Sequence, residues 1–204
     1  AFCKGKEGEI MNFIWIIASY FLGSLSPGTY LSRTAGVDIQ KSGSGNPGAT
    51  NALRTAGWKI GISVLVLDAL KGYLPVFLCL RIGPAHLAPW VGLAAILGHN
   101  WSALLKLRGG KGMATSLGVL LALSPLSTLV CLGIWVLVVL LTRYVSLASI
   151  LAGLFAAPAL FWFGLPKSYI LMGAIASLLI IYRHRSNIQR ILNGTENKVS
   201  RKKK

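Results

Sequence analysis

The run MATSLGVLLALSPLSTLVCLGIWVLVVLLT, residues 113–142, holds no charged side chain, and its reading decides how the chain is built. As one helix it would be about 45 Å long, well beyond a hydrocarbon core of about 30 Å. Ser124-Pro125 supplies a break, because proline cannot donate to the preceding turn and disfavours helix in the residue before it. Split there, the run gives two spans. Further apolar runs lie near residues 10–31, 60–80, 87–105, 146–163 and 168–182, so the chain divides into seven apolar segments.

The composition agrees with that division. Of 204 residues, 54% are hydrophobic and 13% charged, about half the charged share of an ordinary soluble domain. A chain this apolar, with mean hydropathy +0.64, needs lipid to cover part of its surface. At about 20 residues per span, seven spans leave no room for a soluble domain. The expected fold is an all-α integral membrane protein with seven transmembrane helices, one domain over residues 10–193, followed by a basic cytoplasmic tail over residues 194–204. The first run is too long and too poorly ended for a cleaved signal peptide and is read as the first span.

The 21 basic residues against 5 acidic ones leave a net charge of +16. In a soluble protein that excess would suggest nucleic acid. Here the cations fall between and after apolar runs, where cytoplasmic loops place them, so no nucleic-acid partner is expected. With seven crossings and the N-terminus outside, the outer face receives Lys4, Lys6, Arg81 and Lys167, and Lys71 falls inside the second span. The remaining basic residues then share the cytoplasmic face with the C-terminus. With six crossings, basic segments would fall on both faces. Cys3, Cys79 and Cys131 lack a CxxC spacing, and neither a disulfide nor a metal site is expected.

Three polar segments carry chemistry, and the seven-span topology puts all of them on the cytoplasmic side. The first is KSGSGNPGATNALR, Lys41 to Arg54. Gly43, Gly45 and Gly48 satisfy G-x-G-x-x-G, but that fingerprint has meaning only between a strand and a helix, and this one follows a membrane span. The underlying physics still applies: glycines admit close backbone approach, and successive N–H groups make a nest for an anion. Ser44, Asn46, Thr50 and Asn51 add side-chain donors, and Arg54 adds charge. The expectation is a phosphate cradle, against the plainer reading of a flexible Gly/Ser loop.

The second segment is GHNWSALLKLRGGKGMATS, Gly98 to Ser116. Lys111 is followed by Gly112 rather than Ser or Thr, so this is no Walker A loop. Lys106 and Arg108 read as cytoplasmic anchors, whereas Lys111 lies among Gly109, Gly110 and Gly112 where a helix begins, a place suited to anions. The third is YRHRSNIQR, Tyr182 to Arg190, in which His184 and Asn187 share one face of a continued helix. Inside the second span, Asp68 and Lys71 are three apart. Ionisable groups there are costly, so they either pair with each other or line the site. Ser149 lies in YVSLAS at the start of the sixth span, where serine is commonly a small packing residue.

These segments stand together in a known order. SGSGNPGATNALR, DALKG, GHNW with RGGKGMAT, RYVSLAS and IYRHRSNIQRIL match the spacing of the PlsY-type acyl-phosphate:glycerol-3-phosphate acyltransferases, and from Gly23 to Asn193 the chain resembles that family. The resemblance implies a multi-pass enzyme of the bacterial cytoplasmic membrane, its site facing the cytoplasm. Such an enzyme moves a fatty acyl group from acyl phosphate to the 1-hydroxyl of glycerol 3-phosphate, giving lysophosphatidic acid and phosphate, with no cofactor and no metal. Its partners would be the two substrates and the lipid bilayer, and a monomer is expected.

Carried over by motif, Gly43, Ser44, Gly45, Asn46, Gly48, Thr50 and Asn51 look like the acyl-phosphate loop, with Ser44 its functional serine. Arg54, Lys111, Ser149, His184 and Asn187 look like glycerol 3-phosphate contacts, with Ser44, Arg54, Lys111, His184 and Asn187 as the catalytic set and Asp68 and Lys71 in support. Arg108 departs from a common lysine, Ser186 from a common acidic residue, and GSLSPG in the first span from the usual form. Two phosphorylated substrates bring about three to four negative charges together, which preorganised cations and donors must offset.

Asp38 and Asp68 are the carboxylates near the core, and neither adjoins a histidine in sequence, so a serine-histidine-acid triad has little support. The expected chemistry is direct attack with no acyl-enzyme, His184 either taking the proton or orienting a substrate whose own phosphate is the base. The acyltransferase class with an H-x4-D motif does not fit, since Val91, Leu104 and Gln189 occupy the fifth positions after His86, His99 and His184. A phosphotransferase of the CDP-alcohol type would need several carboxylates for divalent metal. From another class, a small membrane transporter of phosphorylated or organic anions is the alternative.

Overall fold

The computed structural model describes residues 2–199, so Arg201, Lys202, Lys203 and Lys204 of the expected tail lie outside the described residues. Among the described residues all regular structure is helical: α1 (Phe2–Ser24), α2 (Pro27–Thr34), α3 (Ala49–Thr55), α4 (Trp58–Ile82), α5 (Ala88–Asn100), α6 (Met113–Leu123), α7 (Pro125–Thr142), α8 (Val145–Leu154), α9 (Ala156–Trp162), α10 (Lys167–Arg183) and α11 (Arg185–Leu192). Glu9–Thr34, Trp58–Ile82, Pro125–Thr142 and Val145–Trp162 are long and apolar enough to cross a membrane, and Met113–Leu123 is a shorter apolar helix. Leu129, Leu137, Leu140 and Leu141 on α7 stay exposed, an apolar face suited to lipid.

The chain forms two compact units, Ala1–Leu123 and Ser124–Lys204. The boundary falls at the Ser124-Pro125 break. There α6 ends, Pro125 opens α7, and the Ser124 hydroxyl caps the new helix by accepting from the Ser127 N–H at 3.3 Å.

In the first unit α4 is the central helix, packed against α2, α3, α5 and α6, while α1 lies along α5. The contact of α4 with α6 is backbone-close on both sides. A Cβ on Gly72 would collide with the Thr115 carbonyl, and one on Gly118 with the Ala69 carbonyl. Small residues at such crossings let membrane helices gain dispersion where burial from water contributes nothing.

The first apolar run is not one continuous helix as its hydropathy suggests. It is interrupted at Leu25 and Ser26, because Pro27 lacks an N–H and Ser26 caps α2 by accepting from the Thr29 N–H at 3.4 Å. The Leu25 carbonyl that the break releases is taken by the Lys71 ammonium from α4.

In the second unit α8 and α9 pack on α7, and α10 packs on both. The Ser177 hydroxyl ties α10 to α8 by donating to the Gly153 carbonyl at 2.6 Å. The sixth apolar run, read as one segment, divides at Phe155 into α8 and α9. Pro158 removes the N–H that the Leu154 carbonyl would otherwise receive, which accounts for the division.

Candidate active site

The first polar segment is a loop clamped from below. Ile39, Ala52 and Val64 form a buried core that joins the loop to α3 and α4, with Leu31, Ala49 and Ile60 packed around it. Above this core the Asn51 side chain organises the turn. Its amide donates to the Ile39 carbonyl at 3.2 Å and the Ser42 carbonyl at 3.0 Å, and its oxygen accepts from the Ser44 N–H at 3.0 Å. Gly43 adopts φ +60° against that side chain, where a Cβ would meet Asn51 Oδ1.

This geometry changes the nest expected from the sequence. The N–H groups of Ser44, Gly45 and Gly48 bond within the loop, to Asn51, Ser42 and Asn46. What the loop offers outward is side chains: Ser44 and Thr50 are exposed, as is Arg54 in the last turn of α3.

The second segment lies on a polar cluster that sequence spacing shows only in part. Asp68 and Lys71 do pair, at 2.8 Å, and both are almost wholly buried. His99, from α5, joins them with Nδ1 3.5 Å from Asp68 Oδ1. The loop that carries Lys111 rests on His99, whose carbonyl accepts from the Gly110 N–H at 2.9 Å. Just upstream the chain turns sharply through Lys106 and Leu107, at φ +51° and +63°. That conformation is rare and costly for residues with a Cβ. Lys111 itself is half-buried, two residues before α6.

Close by, Asn100 is fully buried, and among the described residues neither of its amide atoms has a hydrogen-bond partner. The same holds for the hydroxyls of Thr115 and Ser116. An unsatisfied buried polar group costs about 1–3 kcal/mol, so these side chains are not there for stability alone.

In the second unit Ser149 is buried on α8 and its hydroxyl accepts from the Trp135 indole N–H at 3.3 Å. His184 and Asn187 do not share one continued helix. α10 stops at Arg183 and His184 is the joint to α11, which carries Asn187. The His184 Nδ1 lies 2.8 Å from the Ile180 carbonyl. A carbonyl can only accept, so Nδ1 carries the hydrogen and the lone pair of the neutral ring sits on Nε2.

Glu196 is the residue that sequence reading missed. One carboxylate oxygen accepts from the Asn187 amide and the Ser146 hydroxyl, each at 2.8 Å, and the other accepts from Arg190 Nε at 2.7 Å. Burial works to raise its pKa, but those three donors and the Arg190 charge outweigh it and hold the carboxylate below its ordinary range. Residues 194–199, read as the start of the tail, fold back here. Glu196 N–H bonds to the Arg190 carbonyl, and Val199 N–H donates to the Arg143 carbonyl at 2.9 Å. The available signal was an acid, one of 5 in the chain, standing alone in a basic stretch.

Fold and site together define a polytopic helical membrane protein with cation-bearing polar loops suited to phosphorylated ligands. Comparison gives the class its chemistry. A family profile described as glycerol-3-phosphate acyltransferase matches residues 13–194. The chain is 44% identical to the glycerol-3-phosphate acyltransferase of Trichlorobacter lovleyi, covering 92% of this chain and 97% of that one. It is 45% identical to that of Geobacter sulfurreducens, with coverages of 92% and 97%. A crystal structure of PlsY (YgiH), an integral membrane glycerol 3-phosphate acyltransferase in its glycerol 3-phosphate form, superimposes with a TM-score of 0.89 at 41% identity over 93% of this chain and 96% of that one. The lysophosphatidic acid form of that protein gives 0.87, at 93% and 95% coverage. The chain belongs to the glycerol-3-phosphate acyltransferase family, as its motifs suggest, and is a membrane-embedded enzyme of lipid synthesis. The transporter alternative is thereby set aside.

Proposed function

We propose that the enzyme takes its acyl group from acyl phosphate and transfers it in one step to the 1-hydroxyl of glycerol 3-phosphate. The hydroxyl oxygen attacks the acyl carbonyl carbon, the bond from that carbon to the phosphate oxygen breaks, and inorganic phosphate leaves. The attacking hydroxyl's proton passes to His184 Nε2 or to the substrate's own phosphate. An acyl phosphate is a mixed anhydride with a good leaving group, so positioning and charge stabilisation supply most of the rate.

The observation that carries direct attack is how the carboxylates and imidazoles are committed. Nδ1 of His184 is bonded to a backbone carbonyl, Asp68 faces His99, and Glu196 faces Asn187, Ser146 and Arg190. The Nδ1 position, where a triad's acid would hold the imidazole, is taken on His184 by the Ile180 carbonyl, which speaks against a triad that activates Ser44. The Ser44 and Thr50 hydroxyls serve as acyl-phosphate donors, on a loop whose shape Gly43, Gly45, Asn46, Gly48 and Asn51 set. Arg54 and Lys111 offset the phosphate charges, and Ser149, His184 and Asn187 hold glycerol 3-phosphate. Both family structures named for glycerol 3-phosphate and for lysophosphatidic acid support this choice of substrate and product.

On the same reading the enzyme works as a monomer in the bacterial cytoplasmic membrane, with seven crossings and a cytoplasmic site. In support, four helical segments are long and apolar enough to cross a membrane and α6 is a shorter apolar helix, with α5 and α10 as the further helices that would complete seven crossings, and basic residues concentrate on one side of that topology. α5 and α6 reach only about 20 and 17 Å, less than a hydrocarbon core of about 30 Å, so the polar loop between them dips towards the membrane interior.

Phosphate release by purified enzyme from palmitoyl phosphate, with and without glycerol 3-phosphate and in the presence of a chelator, tests the reaction. Release dependent on glycerol 3-phosphate and lost in folded Arg54→Ala and Lys111→Ala supports it. A trapped acyl-Ser44 adduct sinks the one-step mechanism.

A further inference from the structure

We propose that Asp68, His99 and Asn100 are positioning residues for glycerol 3-phosphate: buried beneath the loop Gly109–Gly112, they set the height and direction at which Lys111 meets the substrate phosphate. This rests on the reading of Lys111 as a glycerol 3-phosphate contact.

Each glycine of the loop owes its identity to the surface below it. A Cβ on Gly109 would strike the His99 carbonyl oxygen, and one on Gly110 the His99 imidazole. One on Gly112, at φ +80°, would lie 2.7 Å from Asn100 Oδ1. The Gly110 N–H bond to the His99 carbonyl, 2.9 Å, fixes the contact. Lys111 is therefore flanked on both sides by backbone pressed onto His99 and Asn100, and its own backbone has little room to move.

The support continues downward. His99 Nδ1 is 3.5 Å from Asp68, Asp68 is paired with Lys71 at 2.8 Å, and Lys71 donates to the Leu25 carbonyl at the α1 to α2 break. One polar chain thus connects the break in the first span, α4, α5 and the loop. A buried ion pair is poor at stabilising a fold, and apolar residues of similar volume commonly do as well. Inside a membrane such groups are expected to serve a function. Here the geometry gives them one, a fixed seat for the loop, with the Asn100 amide close beneath Gly112.

The test measures steady-state kinetics of the full-length enzyme in detergent for both substrates, alongside thermal unfolding. His99→Leu and Asn100→Ala are expected to raise KM for glycerol 3-phosphate by about tenfold or more, with KM for palmitoyl phosphate and the unfolding temperature nearly unchanged. His99→Asn, which restores a donor towards Asp68, should recover much of the loss. Asp68→Asn with Lys71→Met removes both charges together, so that neither is left buried alone, and should behave like His99→Leu. If that double variant fails to fold, the His99→Leu and His99→Asn pair decides. Equal changes in both KM values, or changes that track lost stability, overturn the inference and leave the cluster purely structural. Lys111→Ala separates the two layers. Should it leave KM for glycerol 3-phosphate unchanged, the reading of Lys111 itself falls. Should it raise that KM while the variants below the loop do not, the positioning role alone falls.

Discussion

Asn51 and Glu196 each hold several donors or acceptors around one side chain, and both bond to residues proposed above to meet substrate. Replacing Asn51 by alanine removes three loop bonds and leaves the Ile39 and Ser42 carbonyls and the Ser44 N–H to find others. The expected cost is about 1–3 kcal/mol of local stability, seen as a raised KM for palmitoyl phosphate with little change for glycerol 3-phosphate. Glu196→Gln should loosen Asn187 and Arg190 and lower the unfolding temperature at neutral pH. Its folded pKa is depressed below an ordinary value near 4.5, so its contribution is complete above about pH 4.5 and disappears as pH falls through the lower folded value. Unfolding scans from pH 7 to pH 3 should therefore show wild type losing its advantage over Glu196→Gln only below about pH 4.5. If the advantage fades nearer neutrality, another group is responsible. At this scale sequence could name Ser44, Arg54, Lys111, His184 and Asn187 as residues of the right chemistry. It could not show that Asn51 is turned inward or that Glu196 holds Asn187, because both facts depend on which way a side chain points.

Helices in this chain end where proline and serine make them end, and they meet where glycine lets them. Ser26-Pro27 and Ser124-Pro125 use one device, a hydroxyl cap followed by a residue with no N–H. The second was legible from the length of its run. The first was hidden inside a run short enough to pass as one span. The α4 to α6 contact depends on Gly72 and Gly118 facing backbone carbonyls. Gly118→Val is expected to force the helices apart, costing about 1–3 kcal/mol, with activity and folded yield falling together in a detergent thermal-shift assay. A well-folded, active variant would mean that the helices are free to shift there. Seen from sequence, glycines in an apolar helix say only that something comes close; the partner is a tertiary fact.

Taken as a whole molecule, the chain is a membrane protein, and the distribution of its basic residues predicts an orientation that labelling can test. Single cysteines placed at Arg81 and at Lys106, in a variant lacking Cys3, Cys79 and Cys131, test that orientation in intact cells. A membrane-impermeant thiol reagent should label position 81 from outside and leave position 106 unlabelled until the membrane is opened. Labelling of both from outside would break the seven-crossing topology. The linear sequence by itself determined the helical membrane class, the break at Ser124 and the polar segments, because hydropathy, proline and charge act locally or through the lipid that surrounds every span. Only the tertiary structure decided that His99 reaches Asp68, that Gly109, Gly110 and Gly112 lie on His99 and Asn100, and that Glu196 returns to Asn187. Those contacts join residues far apart in the chain, and no local periodicity encodes which buried polar group will meet which.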